Sequence, residues 1–419
     1  MPVKKITIHI DQLGPVRNSD IELKPFMVFT GESGTGKSYT SLLVHFIYRV
    51  LGTRNDISDF FESIGASFDK HKELISDDEG FLFEFTLGEF EEWISLAAVK
   101  YVGRSIGNFS LEGKVSIKFQ GLPETFKFYY KKEVIEVAGE MKYFDTIIMN
   151  KEFPIKLPYH SQGWSFMPYA FILTVYINHV YKITQNNTFL LPPSRGGLVC
   201  LNDTGRGEFK NSPAEMYQEF IDDLGQLKSA APRDNEKTKE YFSLSQNLIN
   251  GKINIRDNEL FYEQDFGEIP ITASAASIKE LAPFAIMLQK GLVEQYSIMF
   301  EEPETNLHPE LQIKSADVIA TLLQKGCRIR VTTHNDYFLQ RINQLIKLGK
   351  LPHKENDVYI EEDKIAAYYF EKSDNANTTI KPLEIGKNGI PFSTFFDTVK
   401  KLSDEENRIN NLLDNTYGC

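Results

Sequence analysis

Apolar and polar residues alternate along Ile6-Thr7-Ile8-His9-Ile10, and the region from Ile6 to about Phe29 reads as short strands broken at Gly14-Pro15 and Pro25. Met27-Val28-Phe29-Thr30 then runs into a glycine-rich turn. Beyond it Leu42, Leu43, Phe46, Ile47, Val50 and Leu51 recur at helical spacing, with Gly52 as the stop signal. Three segments rich in Phe, Tyr, Val and Ile (Phe81–Phe85, Val115–Phe119 and Phe126–Tyr130) predict antiparallel strands forming a second sheet in the first lobe.

From about Pro154 to Asn250 the period becomes helical. Helices are predicted over Trp164–Tyr181, Pro213–Leu227 and Glu236–Leu248, with loops at Pro192-Pro193, Gly196-Gly197 and Pro232. Strand patterns return at Lys252–Ile255 and near Ile269–Thr272, followed by a helix over Ile278–Leu288. Strand Ser297–Phe300, helix Gln312–Leu323, strand Arg328–Thr332 and helix Tyr337–Leu348 then alternate in the rhythm of a parallel sheet. Ile365–Phe370 is strand-like, and a polar helix is expected from about Pro391 to Leu413. The expected class is α/β, with a mixed central sheet, an additional antiparallel sheet and an inserted helical region. The chain divides into an N-terminal lobe at 1–153, a helical insertion or lid at 154–250 and a C-terminal lobe at 251–419.

Composition narrows the class further. The 419 residues correspond to two or three units of about 150 residues each, or to one large elaborated domain. With 42% hydrophobic and 25% charged residues, disordered and collagen-like readings are excluded. A net charge of −12 argues against binding nucleic acid by bulk charge and leaves a local basic groove open. Cys200, Cys327 and Cys419 lie far apart with no zinc-binding spacing, which fits a reducing cytoplasm. Phe166–Tyr181 is apolar, but it is too short and too interrupted for a membrane span and reads as a buried helix. No apolar signal block follows Met1, so the expected location is cytoplasmic.

The chemistry begins at Gly31-Glu32-Ser33-Gly34-Thr35-Gly36-Lys37-Ser38, which fits G-x-x-x-x-G-K-[ST] between a strand and a helix, with Tyr39 next. Such a loop points backbone N–H groups inward, brings Lys37 to β- and γ-phosphates and offers the Ser38 hydroxyl to Mg²⁺. Far downstream, the apolar strand Ile298-Met299-Phe300 ends in Glu301-Glu302-Pro303-Glu304. Glu301 is expected to serve the metal and Glu302 to polarise the attacking water, with an acidic helix cap as the bland alternative. His334 stands at the end of the next strand, where an imidazole reaches a γ-phosphate.

Together these elements resemble the ATP-binding-cassette ATPases of the SMC-like and OLD-like (overcoming lysogenization defect) branch. The resemblance is carried by Glu301-Glu302-Pro303-Glu304-Thr305-Asn306-Leu307-His308-Pro309, by Thr332-Thr333-His334-Asn335-Asp336 and by Leu13-Gly14-Pro15-Val16-Arg17. It implies ATP and Mg²⁺ as cofactors, slow ATP hydrolysis, and a homodimer or higher homo-oligomer in which a signature segment of one copy closes on ATP held by another. The matching segment carries Ser274 and Ser277, but Ala275-Ala276-Ser277 stands where such ATPases commonly have Ser-Ser-Gly. Leu191-Pro192-Pro193-Ser194-Arg195 resembles a Pro-Ala-x-Arg phrase of standalone members, so Arg195 is either a nucleotide or subunit contact or a solvated turn residue. Gln162 is a candidate Mg²⁺-sensing glutamine.

No heptad run interrupts the chain, so long coiled-coil arms are not expected. Nor does an acidic metal-binding set for a nuclease follow His334. The resemblance to standalone ATPases of prokaryotic defence modules, PARIS-like or Septu-like, therefore implies a switch that controls a separate effector protein. A DNA-repair ATPase clamping duplex and a non-hydrolysing nucleotide-dependent interaction module are the alternatives.

Overall fold

The structure is a computed structural model describing residues 4–52, 54–137, 140–158, 165–203, 214–352, 357–373, 377–387, 389–391 and 400–410. The first part of the chain forms β1 (Lys5–Leu13), β2 (Val16–Glu22), β3 (Phe26–Gly31), α1 (Lys37–Gly52), α2 (Arg54–Ser63), α3 (Phe68–Glu73), β4 (Glu79–Thr86), α4 (Leu87–Ser105), β5 (Gly113–Gln120), β6 (Thr125–Val137), β7 (Glu140–Met149) and β8 (Phe153–Pro158). The middle forms α5 (Met167–Tyr181), β9 (Asn187–Leu191), α6 (Arg195–Asp203), α7 (Glu215–Ser229), α8 (Glu236–Ile249), β10 (Lys252–Arg256), β11 (Glu259–Gln264) and β12 (Gly267–Pro270). The last part forms α9 (Ala276–Gln289), β13 (Tyr296–Glu301), α10 (Pro309–Gln324), β14 (Arg328–Thr333), α11 (Asp336–Gly349), β15 (Ile365–Lys372) and β16 (Thr378–Leu383).

A nine-stranded mixed sheet in the order β5-β1-β2-β16-β15-β3-β14-β13-β9 organises the molecule. Its run from β15 to β9 is parallel throughout. Strand β3 is buried on both sides: Met27 and Phe29 enter one apolar core, and Phe26 and Val28 enter the other. Parallel strands need both faces covered, because their crossovers place helices there. Separate antiparallel sheets are built by β4-β6-β7-β8 and by β10-β11-β12.

The α/β class and the mixed sheet agree with the sequence pattern, but the details differ. Val115–Phe119 lies in β5, which pairs antiparallel with β1 at the edge of the central sheet rather than joining β4 and β6. Alternation specifies which face a strand buries and says nothing of its partner. The stretch at 154–250 is also not all helix, since β9 pairs along its whole length with Tyr296–Phe300 of β13 and buries Phe189, Leu190 and Leu191 completely. The expected helices appear as α5, α7 and α8. Among the described residues no helix is long and apolar enough to cross a membrane. Residues 400–410 are helical and exposed, Pro391 is not helical, and the rest of the helix expected there lies outside the described residues.

Candidate nucleotide site

Ligands of open α/β sheets lie beyond the carboxyl ends of parallel strands, and three such ends meet here. β3 ends at Gly31, β14 at Thr333 and β13 at Glu301, with β14 between the other two. Gly31 has φ +135°, and a Cβ there would meet the Phe370 carbonyl oxygen at 2.5 Å. Gly36 has φ +91°, and its Cβ would strike Val16 at 2.7 Å. Only glycine tolerates both the backbone and the contact. The loop therefore turns tightly into α1, whose first residues are Lys37 and Ser38.

A cavity of about 580 Å³ opens over this turn, lined by Ser33, Gly34, Thr35, Gly36, Lys37, Ser38 and Tyr39, and also by Pro15, Glu302, Thr332 and His334. The Lys37 ammonium donates to the carbonyl oxygens of Gly31 at 3.1 Å and Glu32 at 2.6 Å. Burial depresses it to about 8, against the pull of Glu302, Glu301 and Glu32. Burial also lowers the His334 imidazole, with Lys37 adding to the effect, and this keeps the ring neutral at neutral pH.

Glu301 lies fully buried beneath the cavity. Burial pushes its carboxyl up to about 7, although the Ser38 hydroxyl donates to it. Its Oε1 has no hydrogen-bond partner. A buried, orphaned carboxylate oxygen beside a hydroxyl is the oxygen set a hard cation takes, and these residues fit Mg²⁺. Among the described residues no group of three or more His, Cys, Asp or Glu could hold a metal ion, so such an ion would draw its remaining ligands from water and phosphate.

Glu302 has φ +44°, a left-handed backbone that costs a non-glycine residue about 1–2 kcal/mol. Its N–H donates to the Thr332 carbonyl at 2.9 Å, which ties the β13 end to β14. Thr305 Oγ1 donates to the Glu302 carboxylate at 3.0 Å.

No family model matches the chain, and no curated protein matches it. Solved structures similar to it include SMC heads. One is a SmcHead bound to the C-winged helix domain of ScpA, at 12% identity, over 91% of this chain and 98% of that one, with a TM-score of 0.39. The SMC head domain from Thermotoga maritima is 11% identical over 91% and 100%, with a TM-score of 0.33. The Pyrococcus furiosus Smc head with an extended coiled coil, bound to the C-terminal domain of ScpA, is 12% identical over 97% and 100%, with a TM-score of 0.39. Likeness at this level transfers no residue role, and roles rest on the geometry of this chain.

The remaining candidates fall elsewhere. Arg195 neither lines the cavity nor reaches solvent. It is completely buried, and its guanidinium donates to the carbonyl oxygens of Glu280, Pro192, Glu301 and Glu302. Burial lowers it to about 10, which leaves it charged. Ser274 is buried and donates to the Ile271 carbonyl at 2.7 Å, whereas Ser277 is half-buried in the first turn of α9. Neither serine lines the cavity of its own chain. Gln162 lies outside the described residues.

Sequence reasoning gave Glu304 no role. Its Oε1 accepts from Thr333 Oγ1 at 2.6 Å and from the His334 N–H at 3.0 Å, and so fixes the segment that carries the imidazole. Burial raises its carboxyl. Thr332 and Pro15 were also unassigned. Thr332 stands two residues before His334, and that period-2 spacing was the available signal.

Proposed function

We propose that this chain binds ATP with Mg²⁺ over the Gly31–Tyr39 turn and hydrolyses it. The observation that carries the reading is the meeting of three strand ends at one cavity, bringing together Lys37 and Ser38, the Glu301-Glu302 pair and His334. Ser38 and Glu301 would hold the metal, which neutralises phosphate charge when bound. Lys37 and the loop N–H groups fix the β- and γ-phosphates. Glu302 accepts the proton of the attacking water, and the neutral His334 ring hydrogen-bonds near the γ-phosphate.

The same reading makes the protein a nucleotide-dependent switch in a homo-oligomer, with Ser274 and Ser277 facing nucleotide held by a second copy. In it 1–153 and 251–419 act as ATPase lobes, and 154–250 acts as the lid that meets a separate effector in a prokaryotic defence module. Ala275 and Ala276 are exposed and give α9 no side-chain cap, which favours a static nucleotide-bound module as the second reading.

Phosphate release and light scattering on the wild type and Glu302→Gln test the first reading. Loss of turnover by about 100-fold or more with nucleotide affinity retained is expected, together with a rise in mass on adding Mg-ATP. Equal turnover in the two proteins would remove Glu302 from its role. A wild type that binds ATP and never turns it over would favour the static module.

A further inference from the structure

We infer that Arg195 is a positioning residue for Glu302, and that Glu280 makes this clamp answer to the place of helix α9. This deepens the hydrolytic reading and rests on it. A guanidinium presents its N–H donors in a rigid planar fork, and here the fork is filled by main-chain oxygens. Nη1 donates to the carbonyls of Glu301 at 2.9 Å and Pro192 at 3.0 Å, and Nη2 reaches the Glu302 carbonyl at 3.4 Å. Nε donates to the Glu280 carbonyl at 2.9 Å. The plane lies over the Phe300 ring, 4.6 Å from its centre.

Every contact but two is thus made to Phe300, Glu301 and Glu302, the consecutive residues at which the strand ends and the backbone turns left-handed. Glu280 closes the arrangement. Its carboxylate lies 3.7 Å from Arg195 Nε and accepts from Asn306 Nδ2 at 3.1 Å. Asn306 is itself left-handed, at φ +58°. The turn at 301–306 is therefore held at its start by Arg195 and at its end by Glu280, and Glu280 belongs to α9. Gly196 completes the fit, since a Cβ there would come within 3.0 Å of the Glu280 carboxylate.

The test compares Arg195→Lys and Glu280→Gln with the wild type in the full chain, by steady-state ATPase kinetics, fluorescent-ATP binding and amide hydrogen exchange. Arg195→Lys keeps the charge and loses the fork. The expected result is a fall in kcat of about 10- to 100-fold, with nucleotide affinity within about twofold, because the Gly31–Tyr39 turn is untouched. Amides at 302–307 should exchange faster while those of α1 do not. Glu280→Gln should lower kcat by a smaller factor in the same direction, and it carries the test alone if Arg195→Lys does not fold. An unchanged kcat in both variants overturns the inference, as does a parallel loss of kcat and affinity. If the wild type shows no Glu302-dependent turnover, the hydrolytic reading has failed and the exchange arm decides: unchanged protection at 302–307 overturns the clamp, and faster exchange there supports it.

Discussion

Among the described residues two arginines, Arg195 and Arg330, are completely buried, and burial lowers both to about 10. Their surroundings differ. Arg195 faces backbone: its donors go to four carbonyls, two at the end of β13 and one each at Pro192 and at Glu280 of α9. Arg330, in the middle of β14, faces side chains. It donates to the Ser297 hydroxyl and, at 3.2 Å, to the Ser297 carbonyl, lies 4.6 Å from the centre of the Tyr48 ring, and sets Nη2 3.5 Å from His45 Nδ1.

Burial lowers the His45 imidazole, and the neutral tautomer that satisfies both neighbours accepts at Nδ1 and donates from Nε2. That donor reaches Glu219 of α7 at 3.2 Å, and Glu219 also takes Arg49 at 2.7 Å and the Tyr101 hydroxyl at 2.9 Å. The chain of contacts runs from the sheet through α1 to α7 and α4. One buried cation therefore shapes a turn, and the other fastens the helix of the glycine loop to its sheet. A charge of the same kind and burial constrains chemistry in one place and fold in the other, according to whether its partners are backbone carbonyls gathered around one strand end or chiefly side chains of several elements.

The contrast can be broken most directly at Arg330. Arg330→Ala leaves His45 and Ser297 without their buried donor and opens a cavity, and it should cost about 3–5 kcal/mol of stability in chemical denaturation. Nucleotide affinity per folded molecule should be unchanged. A loss below about 1 kcal/mol would erase the distinction between the two arginines.

Glu219 gives the next effect. Burial pushes its carboxyl up, but His45, Arg49 and Tyr101 more than offset this and hold it at about 2. Its folded value lies below the ordinary 4.5, so its contribution is full above about pH 4.5 and is lost as pH falls toward 2. Glu219→Gln should cost about 2 kcal/mol at neutral pH and flatten stability across that acid range. An unaltered acid limb would count against the network.

Asp223, one turn along α7, works the other way. Burial and the Glu219 charge raise it to about 8, above the ordinary 3.8, so it costs stability as pH climbs between those values. Asp223→Asn should add about 1 kcal/mol at pH 8 and nothing below pH 4, read from denaturation midpoints across pH. A destabilised variant at pH 8 would reverse the assignment.

What was legible in the sequence was local. The glycine loop, its helix and strands β13 and β14 each declare themselves by a short period and a boundary residue, and the strand ends that carry Glu301 and His334 follow from them. Helix α4 was also written locally, since Thr86 and Glu89 form a reciprocal capping box. The aromatic strands on either side of it drew the reading away. β9 was not legible, because five residues at the far side of a helix become a strand only when β13 offers an edge. Arg195 is the clearest case. After Pro192-Pro193-Ser194 it reads equally well as a solvated turn, and most of what buries it, including carbonyls 85 and 106 residues further along the chain, is remote in sequence.

Strand β3 pairs on one side with Ile329–Thr333 and on the other with Ile365–Phe370. During synthesis the glycine loop leaves the ribosome long before either flanking strand exists, a delay on the order of tens of seconds at ordinary elongation rates. Phe26, Met27, Val28 and Phe29, all completely buried in the finished protein, spend that interval without their neighbouring strands. The newborn chain thus carries an apolar strand well before β14 and β13 can bring their ends to the glycine loop, and the cavity over that loop takes shape only once the last third of the fold has arrived.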